Sequence, residues 1–161
     1  MTLLDVAGVS KNFGGLRAVA DVSFQVPEGV IFAVIGPNGA GKTTLFNIIA
    51  GMFAPSTGSI TFQGERIDGE TPDGVCRRGI GRTFQIVRPF PDLTVEDNVM
   101  VGALLRRPDV DGARTLSHDV LRRLDLFDRR GQRAGALTLP DRKRLEVARA
   151  LATDPKLLLL D

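Results

Sequence analysis

The chain has 161 residues, 43% hydrophobic and 25% charged, which is the balance of a soluble globular protein with one ordinary core. It shows no long uncharged apolar stretch and no basic N-terminal segment followed by an apolar run, so we expect no membrane span, no secretory signal and a cytosolic location. One cysteine, Cys76, excludes a disulfide within the chain, and a net charge of +2 with interspersed acids argues against a nucleic-acid surface.

The first part of the chain predicts strands around one helix. Apolar and polar residues alternate over 22–26, as in a strand with one buried face, and 27–29 form a turn. The continuous apolar run 30–35 predicts a buried strand. The pattern of 42–50 predicts a helix that ends at Gly51.

The middle of the chain returns to short elements and then becomes helical. A strand at 59–62 precedes a helix that Thr71 caps and that runs to about residue 78, followed by a strand at 80–84. Two further helices are predicted, one from Thr94 towards residue 105 and one over roughly 112–124. The apolar face of the second helix contains Leu116, Val120, Leu121 and Leu124.

The last part predicts a capped helix and a buried strand. Thr138 caps a long amphipathic helix whose apolar stripe comprises Leu145, Ala148, Leu151 and Ala152. The residues expected away from that stripe are Arg142, Lys143, Arg144, Glu146 and Arg149. Asp154 and Pro155 end the helix, and the leucine run 157–160 predicts a buried strand of a parallel sheet.

Residues 36–44 fit the spacing G-x-x-x-x-G-K-[ST] between a predicted strand and a predicted helix, which is typical of a phosphate-binding loop. Glycines let backbone N–H groups curl around an oxyanion, and the helix N-terminus adds partial positive charge. The predicted nucleotide-binding residues of this loop are Gly36, Asn38, Gly39, Ala40, Gly41, Lys42, Thr43 and Thr44. A glycine-rich turn that binds nothing is the alternative, and the dinucleotide pattern G-x-G-x-x-G fits less well.

Individual side chains of the loop have predicted roles. Lys42 is expected to reach the β and γ phosphates of a bound nucleotide, the Thr43 hydroxyl to ligate Mg²⁺, and Thr44 to bond the α phosphate. A carboxylate at the end of a buried strand commonly holds the magnesium ion of such a loop, mostly through water, and Asp161 has that position.

The order of these parts resembles the nucleotide-binding subunits of ABC transporters, and within them the ATP-binding subunits of branched-chain amino-acid importers. Four stretches carry the resemblance: 9–19, 81–85, 87–99 and 148–151. The resemblance implies that Phe13 stacks on adenine, although a turn-packing aromatic is the alternative. It also implies that Gln85 touches the magnesium ion or the attacking water and senses the membrane subunits.

The signature of the family is Leu-Ser-Gly-Gly-Gln, and this chain departs from it at residues 137–141. Thr138 preserves the hydroxyl, whereas Leu139 and Pro140 replace both glycines and Pro140 lacks an N–H. Thr138 would contact the nucleotide of the partner subunit, and with Asp141 it also forms a capping arrangement. Because Asp141 adds negative charge, we expect a weaker composite site or an asymmetric partner.

The resemblance implies catalytic roles for Lys42, Gln85 and Asp161, with Thr43, Gln85 and Asp161 at the metal. In the family a glutamate that activates water follows the aspartate, and a switch histidine lies further on. We expect the chain to be an N-terminal fragment with little or no hydrolysis alone. His118 is expected to be a solvated helix position.

The predicted fold is α/β: a P-loop NTPase core with a mostly parallel sheet, an N-terminal antiparallel β portion and a helical subdomain. Residues 1–84 are assigned to the nucleotide-binding core, 85–137 to the helical subdomain, and 138–161 to the signature helix and the strand that returns to the core.

The resemblance implies an ATP-binding subunit of an importer for branched-chain or related amino acids, with ATP and Mg²⁺ as cofactors. Expected partners are a second ATP-binding subunit, identical or not, transmembrane permease subunits and, indirectly, an external solute-binding protein; no nucleic acid is expected. The protein would lie on the cytoplasmic face of the membrane. The alternatives are a non-catalytic nucleotide-gated module and a soluble ATPase of the same type that acts on nucleic acid or ribosomes.

Overall fold

The computed structural model describes residues 1–86 and 88–161, which form two compact units, Met1–Arg78 and Gly79–Asp161. Val87, where one of the family-like stretches begins, lies outside the described residues. The predicted three-part division, with boundaries after residues 84 and 137, stays a prediction.

The first unit is built on an antiparallel sheet. Its strands are β1 (Thr2–Phe13), β2 (Leu16–Pro27), β3 (Thr57–Phe62) and β4 (Glu65–Arg66), in the order β2-β1-β3-β4. A tight turn joins β1 to β2, and Gly14 in this turn has φ +57°. Glycine suits the position because it adopts this backbone conformation without a steric penalty. The predicted alternation in β2 is confirmed, since Val26 is buried and its neighbours Gln25 and Pro27 are exposed.

Two helices complete the first unit. Helix α1 (Lys42–Ile49) follows the predicted phosphate loop, and helix α2 (Pro72–Arg78) begins after Thr71, whose hydroxyl accepts a hydrogen bond from Gly74 N at 3.4 Å. The core of the unit consists of apolar side chains from the sheet and α1, among them Leu4, Val6, Val9, Leu45, Ile48, Ile49, Ile60 and Phe62.

The buried strand predicted for residues 30–35 is wrong for the described structure. This segment contains no strand, and apart from the half-buried Val34 its large apolar side chains are exposed, from 46% for Phe32 to 102% for Ile31. Its one ring contact among the described residues is the stacking of Phe32 on Phe24 of β2, with centroids 5.1 Å apart. A strand needs a neighbouring strand to satisfy its backbone groups, and none of the described strands pairs with this segment.

Among its described residues, the second unit contains a parallel strand pair, three α-helices and two 3₁₀ helices, Phe127–Arg129 and Ala134–Ala136. Strands β5 (Ile80–Arg82) and β6 (Leu157–Leu159) pair in parallel, with Ile80 opposite Leu157 and Arg82 opposite Leu159. The parallel pairing is as expected for a leucine-rich strand, but Leu160 is 60% exposed, so the run is not buried throughout. Strand β5 ends two residues before its predicted end at 84.

The three helices are α3 (Val95–Ala103), α4 (Val110–Arg123) and α5 (Leu139–Leu151). Thr94 and Thr138 cap α3 and α5 as predicted, each accepting a hydrogen bond from the backbone N–H three residues later. Helix α4 begins two residues earlier than predicted because the Asp109 carboxylate accepts from Gly112 N at 2.6 Å. Leu121, Leu126 and Leu145 lie in the apolar core that these helices share.

None of the helices in the described part of the chain is both long and apolar enough to cross a membrane. The expectation of a solvated His118 is wrong: its side chain is 23% exposed, its Nε2 lies 3.2 Å from Glu96 Oε2, and its ring meets Phe127 edge-on.

Candidate functional site

The phosphate loop is positioned by a glycine that has no room for a side chain. Gly41 has φ +88°, and a Cβ atom built on it would lie 2.3 Å from the backbone carbonyl oxygen of Ala18 in β2. Because both the backbone angle and the close approach exclude other residues, the loop can turn into α1 at this point only with glycine.

Lys42, the first residue of α1, folds back over the loop. Its Nζ donates to the carbonyl oxygens of Gly36 at 2.7 Å and Pro37 at 2.8 Å, so the loop curls around the ammonium group. A further turn is closed by Ala40 N, which donates to Pro37 O at 3.2 Å. An ammonium has three donors, and these two contacts use two of them.

The N-terminus of α1 has the properties of an anion site. Gly41 is its N-cap, and no side chain there accepts a hydrogen bond from the first turn. That turn contains no acidic residue, so no carboxylate offsets the partial positive charge of the helix end. Thr43 is exposed and Thr44 half-buried at this end, which suits a hydroxyl metal ligand and a phosphate contact.

Phe13 lies at the end of β1 with part of its ring in solvent. It is 42% exposed, and its ring meets that of Phe53 edge-on at 5.3 Å. Lys11 Nζ lies 5.2 Å from the Phe13 centroid and donates to Ala54 O at 2.7 Å. The packing role that was the alternative for Phe13 is therefore present, and adenine stacking stays a prediction.

Gln85 and Asp161 both follow the carboxyl end of the parallel strand pair. Gln85 comes three residues after β5, and Asp161 comes two residues after β6. Thr83 joins the two chain segments, since its N–H donates to Leu159 O at 2.9 Å and its hydroxyl accepts from Asp161 N at 3.2 Å. The structure thus brings these two predicted site residues to one edge of the β5–β6 pair, while the phosphate loop and Phe13 belong to the first unit.

The Asp161 carboxylate faces an arginine that the sequence reasoning did not single out. Arg82 Nη2 lies 3.3 Å from Asp161 Oδ2, and the two side chains are 7% and 12% exposed. Burial lowers the pKa of the Arg82 guanidinium, and the Asp161 charge opposes that shift. A signal was present, since both residues lie near the ends of strands that were expected to be parallel.

Thr138 occupies the cap of α5, which is the alternative role that the sequence allowed. Its hydroxyl accepts from Asp141 N at 3.4 Å and donates to Asp141 Oδ2 at 2.7 Å. Asp141 is buried, with 5% exposure, and forms ion pairs with Arg129 and, at 3.7 Å, with Arg144. Since these arginines offset its charge, Asp141 repels a neighbouring phosphate less than its sequence position suggests.

Two side chains of α5 that were expected away from its apolar stripe have contacts that the sequence pattern did not predict. Glu146 is only 7% exposed, and its Oε1 accepts from Phe84 N at 2.5 Å. Arg149 donates to Arg88 O at 3.1 Å and lies 4.8 Å from the centroid of the Phe90 ring. Polarity alone places such residues in solvent, and only the fold shows that they hold the segment around Gln85.

Comparison with known proteins identifies the family. The family model described as ABC transporter matches residues 19–161. The high-affinity branched-chain amino acid transport ATP-binding protein LivG of Salmonella typhimurium is 38% identical over an alignment of 174 positions. The alignment covers 99% of this chain and 68% of that protein. BraF of Pseudomonas aeruginosa, which has the same description, is 35% identical with the same coverage.

A solved structure supports the same assignment. The crystal structure of the ADP conformation of an ATP-binding cassette of an ABC transporter is 30% identical with a TM-score of 0.86, and the match covers 98% of this chain and 67% of that chain. The α/β fold with a P-loop is therefore confirmed. The chain belongs to the ABC transporter family and is related to its ATP-binding subunits.

Proposed function

We propose that this chain binds Mg²⁺ and ATP at residues 36–44, and that the protein uses ATP hydrolysis to drive import of branched-chain or related amino acids. One observation supports nucleotide binding. The loop curls around Lys42 at the N-terminus of α1, where no side chain caps the helix. The names of the LivG and BraF relatives support the choice of substrate class.

The predicted residues would have different roles in phosphoryl transfer. Lys42 would neutralise charge on the β and γ phosphates, and the N–H groups of the first turn of α1 would hold the phosphate oxygens. Bound Mg²⁺ would offset the charge that develops on the transferred phosphoryl group. Thr43, Gln85 and Asp161 offer the hydroxyl, amide and carboxylate oxygens that Mg²⁺ prefers, either directly or through water.

The proposed assembly has two ATP-binding subunits, identical or not, facing each other. Thr138 of one subunit would contact the nucleotide held by the phosphate loop of the other. Transmembrane permease subunits would place the pair on the cytoplasmic face of the membrane, and an external solute-binding protein would deliver the substrate. The relationship to transporter ATP-binding subunits supports these partners.

A second candidate function is a nucleotide-gated module that does not hydrolyse ATP. The observation in its favour lies at the start of α5, where Leu139 and Pro140 form the first turn. Pro140 has no N–H to offer a phosphate of the partner subunit. ATP turnover by the protein assembled with its membrane partners separates the two functions, since only the transporter hydrolyses ATP in step with solute uptake.

Calorimetry with Mg-ATP tests the proposed site directly. The wild-type chain is expected to release heat on binding, and Lys42→Ala is expected to weaken the affinity by about 10- to 100-fold through loss of charge-assisted hydrogen bonds. Lys143→Ala is the matched control. Lys143 is exposed on α5, so this substitution removes the same charge away from the phosphate loop. Equal ATP affinity in wild type and Lys42→Ala would remove the phosphate-loop assignment.

A further inference from the structure

A buried carboxylate in α5 has a role that helix stability does not explain. Glu146 is 7% exposed, and its Oε1 accepts a hydrogen bond from Phe84 N at 2.5 Å. Its second oxygen, Oε2, is buried and has no hydrogen-bond partner among the described residues. Burial of a carboxylate with half of its acceptors unused is unfavourable.

The same helix holds the chain on the other side of Gln85. Arg149 lies one turn after Glu146, donates to Arg88 O at 3.1 Å, and stacks over the Phe90 ring with 4.8 Å between the guanidinium carbon and the ring centroid. Burial lowers the pKa of the Arg149 guanidinium, and the charge of Glu146 opposes the shift. The pair thus anchors Phe84 and Arg88, while the side chain of Gln85 between them is exposed.

We propose that Glu146 is a positioning residue for Gln85: it fixes the peptide immediately before Gln85, and Arg149 secures the chain beyond it. This inference rests on the proposed function, in which Gln85 contacts the metal or the attacking water. Gln85 lies beyond the end of β5, so the strand pairing does not hold it in place. The hydrogen bond from Phe84 N to Glu146 supplies a fixed point one residue away, and it is formed inside the second unit.

Two substitutions separate positioning from stability. Glu146→Gln keeps a side-chain acceptor for Phe84 N, whereas Glu146→Leu removes the acceptor and keeps the volume. We expect Glu146→Leu to unfold at about the same temperature as wild type, because removal of the unpartnered Oε2 offsets loss of the acceptor for Phe84 N. Hydrogen exchange at the Phe84 amide should be about tenfold faster in Glu146→Leu and unchanged in Glu146→Gln.

The functional readout is the Mg²⁺ dependence of ATP binding. Calorimetry at a series of Mg²⁺ concentrations is expected to show that Glu146→Leu needs about 10- to 100-fold more Mg²⁺ for half-maximal enhancement of ATP affinity, as Gln85→Ala does. Affinity for ATP without Mg²⁺ is expected to stay at the wild-type value in Glu146→Leu, and Lys143→Ala is the exposed control on α5.

The outcomes distinguish this inference from the proposed function. If the wild-type chain binds no ATP, the proposed function fails. If Gln85→Ala shifts the Mg²⁺ dependence and Glu146→Leu does not, the positioning role alone is overturned. Should Glu146→Leu fail to fold, Glu146→Gln decides: a wild-type Phe84 exchange rate and Mg²⁺ dependence support the role of the acceptor, and a shift in either one contradicts it.

Discussion

At the residue scale, Gly41 shows how a local motif depends on a distant neighbour. Its φ of +88° is a property of the loop, but the carbonyl oxygen that would meet a Cβ at 2.3 Å belongs to Ala18, far earlier in the chain. Gly39 provides a natural comparison, since it has a similar φ of +82° and open space where its Cβ would be. Substitutions at these two glycines therefore distinguish the effect of backbone strain from the effect of steric exclusion.

We expect Gly41→Ala to lower the free energy of unfolding by about 2–4 kcal/mol, through the strained backbone and the clash with Ala18 together. Gly39→Ala should lower it by only about 1–2 kcal/mol, because the strain alone is present. Urea unfolding of the two variants and wild type measures both values. Equal losses for the two variants would mean that the approach to Ala18 has no energetic consequence.

The candidate phosphate loop could be recognised from local spacing, whereas residue polarity did not reveal the contacts that distant parts of the chain supply. Lys42 and the glycines around it were identifiable because their spacing is itself the motif. His118 was expected in solvent, and the burial of Glu146 was not foreseen, because nothing in the neighbouring sequence shows that Glu96 or Phe84 lies beside them. A single polar residue in a helix carries no signal about the partner that the fold supplies.

At the element scale, the helices followed from the sequence because their caps are local. Thr94 and Thr138 each lie directly before the helix that they cap. The segment 30–35 failed as a strand for the opposite reason: strand formation depends on a neighbouring strand, which is not a local property. The leucine run after α5 forms a parallel strand because β5 pairs with it. Of the four leucines in that run, only Leu159 is buried.

Thr138 has two candidate roles, and substitutions at the cap of α5 separate them. Thr138→Ala should lower the free energy of unfolding by about 1 kcal/mol, since the cap is lost. Thr138→Ser and Thr138→Asn should both restore stability, because serine and asparagine are good caps. We expect only Thr138→Ser to keep wild-type ATP-driven association, since asparagine has no hydroxyl to offer the partner's nucleotide.

Chemical denaturation and sedimentation velocity with a non-hydrolysable ATP analogue measure these two properties on the same samples. Wild-type association in Thr138→Asn would restrict Thr138 to its capping role. The ion pairs of Asp141 with Arg129 and Arg144 are present whichever role is correct, so they provide no discrimination.

At the scale of the whole molecule, the predicted site residues are divided between the two compact units. Met1–Arg78 contains the phosphate loop and Phe13, whereas Gly79–Asp161 contains Gln85, Thr138 and Asp161. Family membership was predictable from the sequence, because the motifs occur in a fixed order along nearly the whole chain. The internal contacts of each unit were not predictable, and these contacts hold Asp161 beside Arg82 and Phe84, the residue before Gln85, beside α5.

The altered signature leads to a prediction about association of two molecules. Leu139 is 62% exposed and Pro140 lies in the first turn of α5, so neither is required by the core. Leu139→Gly with Pro140→Gly restores an N–H at position 140 and removes the side chain at 139, which leaves room for a phosphate at the helix N-terminus. We expect the dissociation constant of the ATP-bound dimer to fall by about tenfold, as for one added charge-assisted hydrogen bond.

Sedimentation velocity over a range of protein concentrations, with and without the ATP analogue, measures this constant. Pro140→Ala is the matched control, since it restores the N–H but keeps a Cβ, and its effect should be smaller than that of the double variant. Because Asp141 is already neutralised by Arg129 and Arg144, its charge should not mask the gain. An unchanged dissociation constant in the double variant would show that the N-terminus of α5 does not meet the nucleotide of the partner subunit.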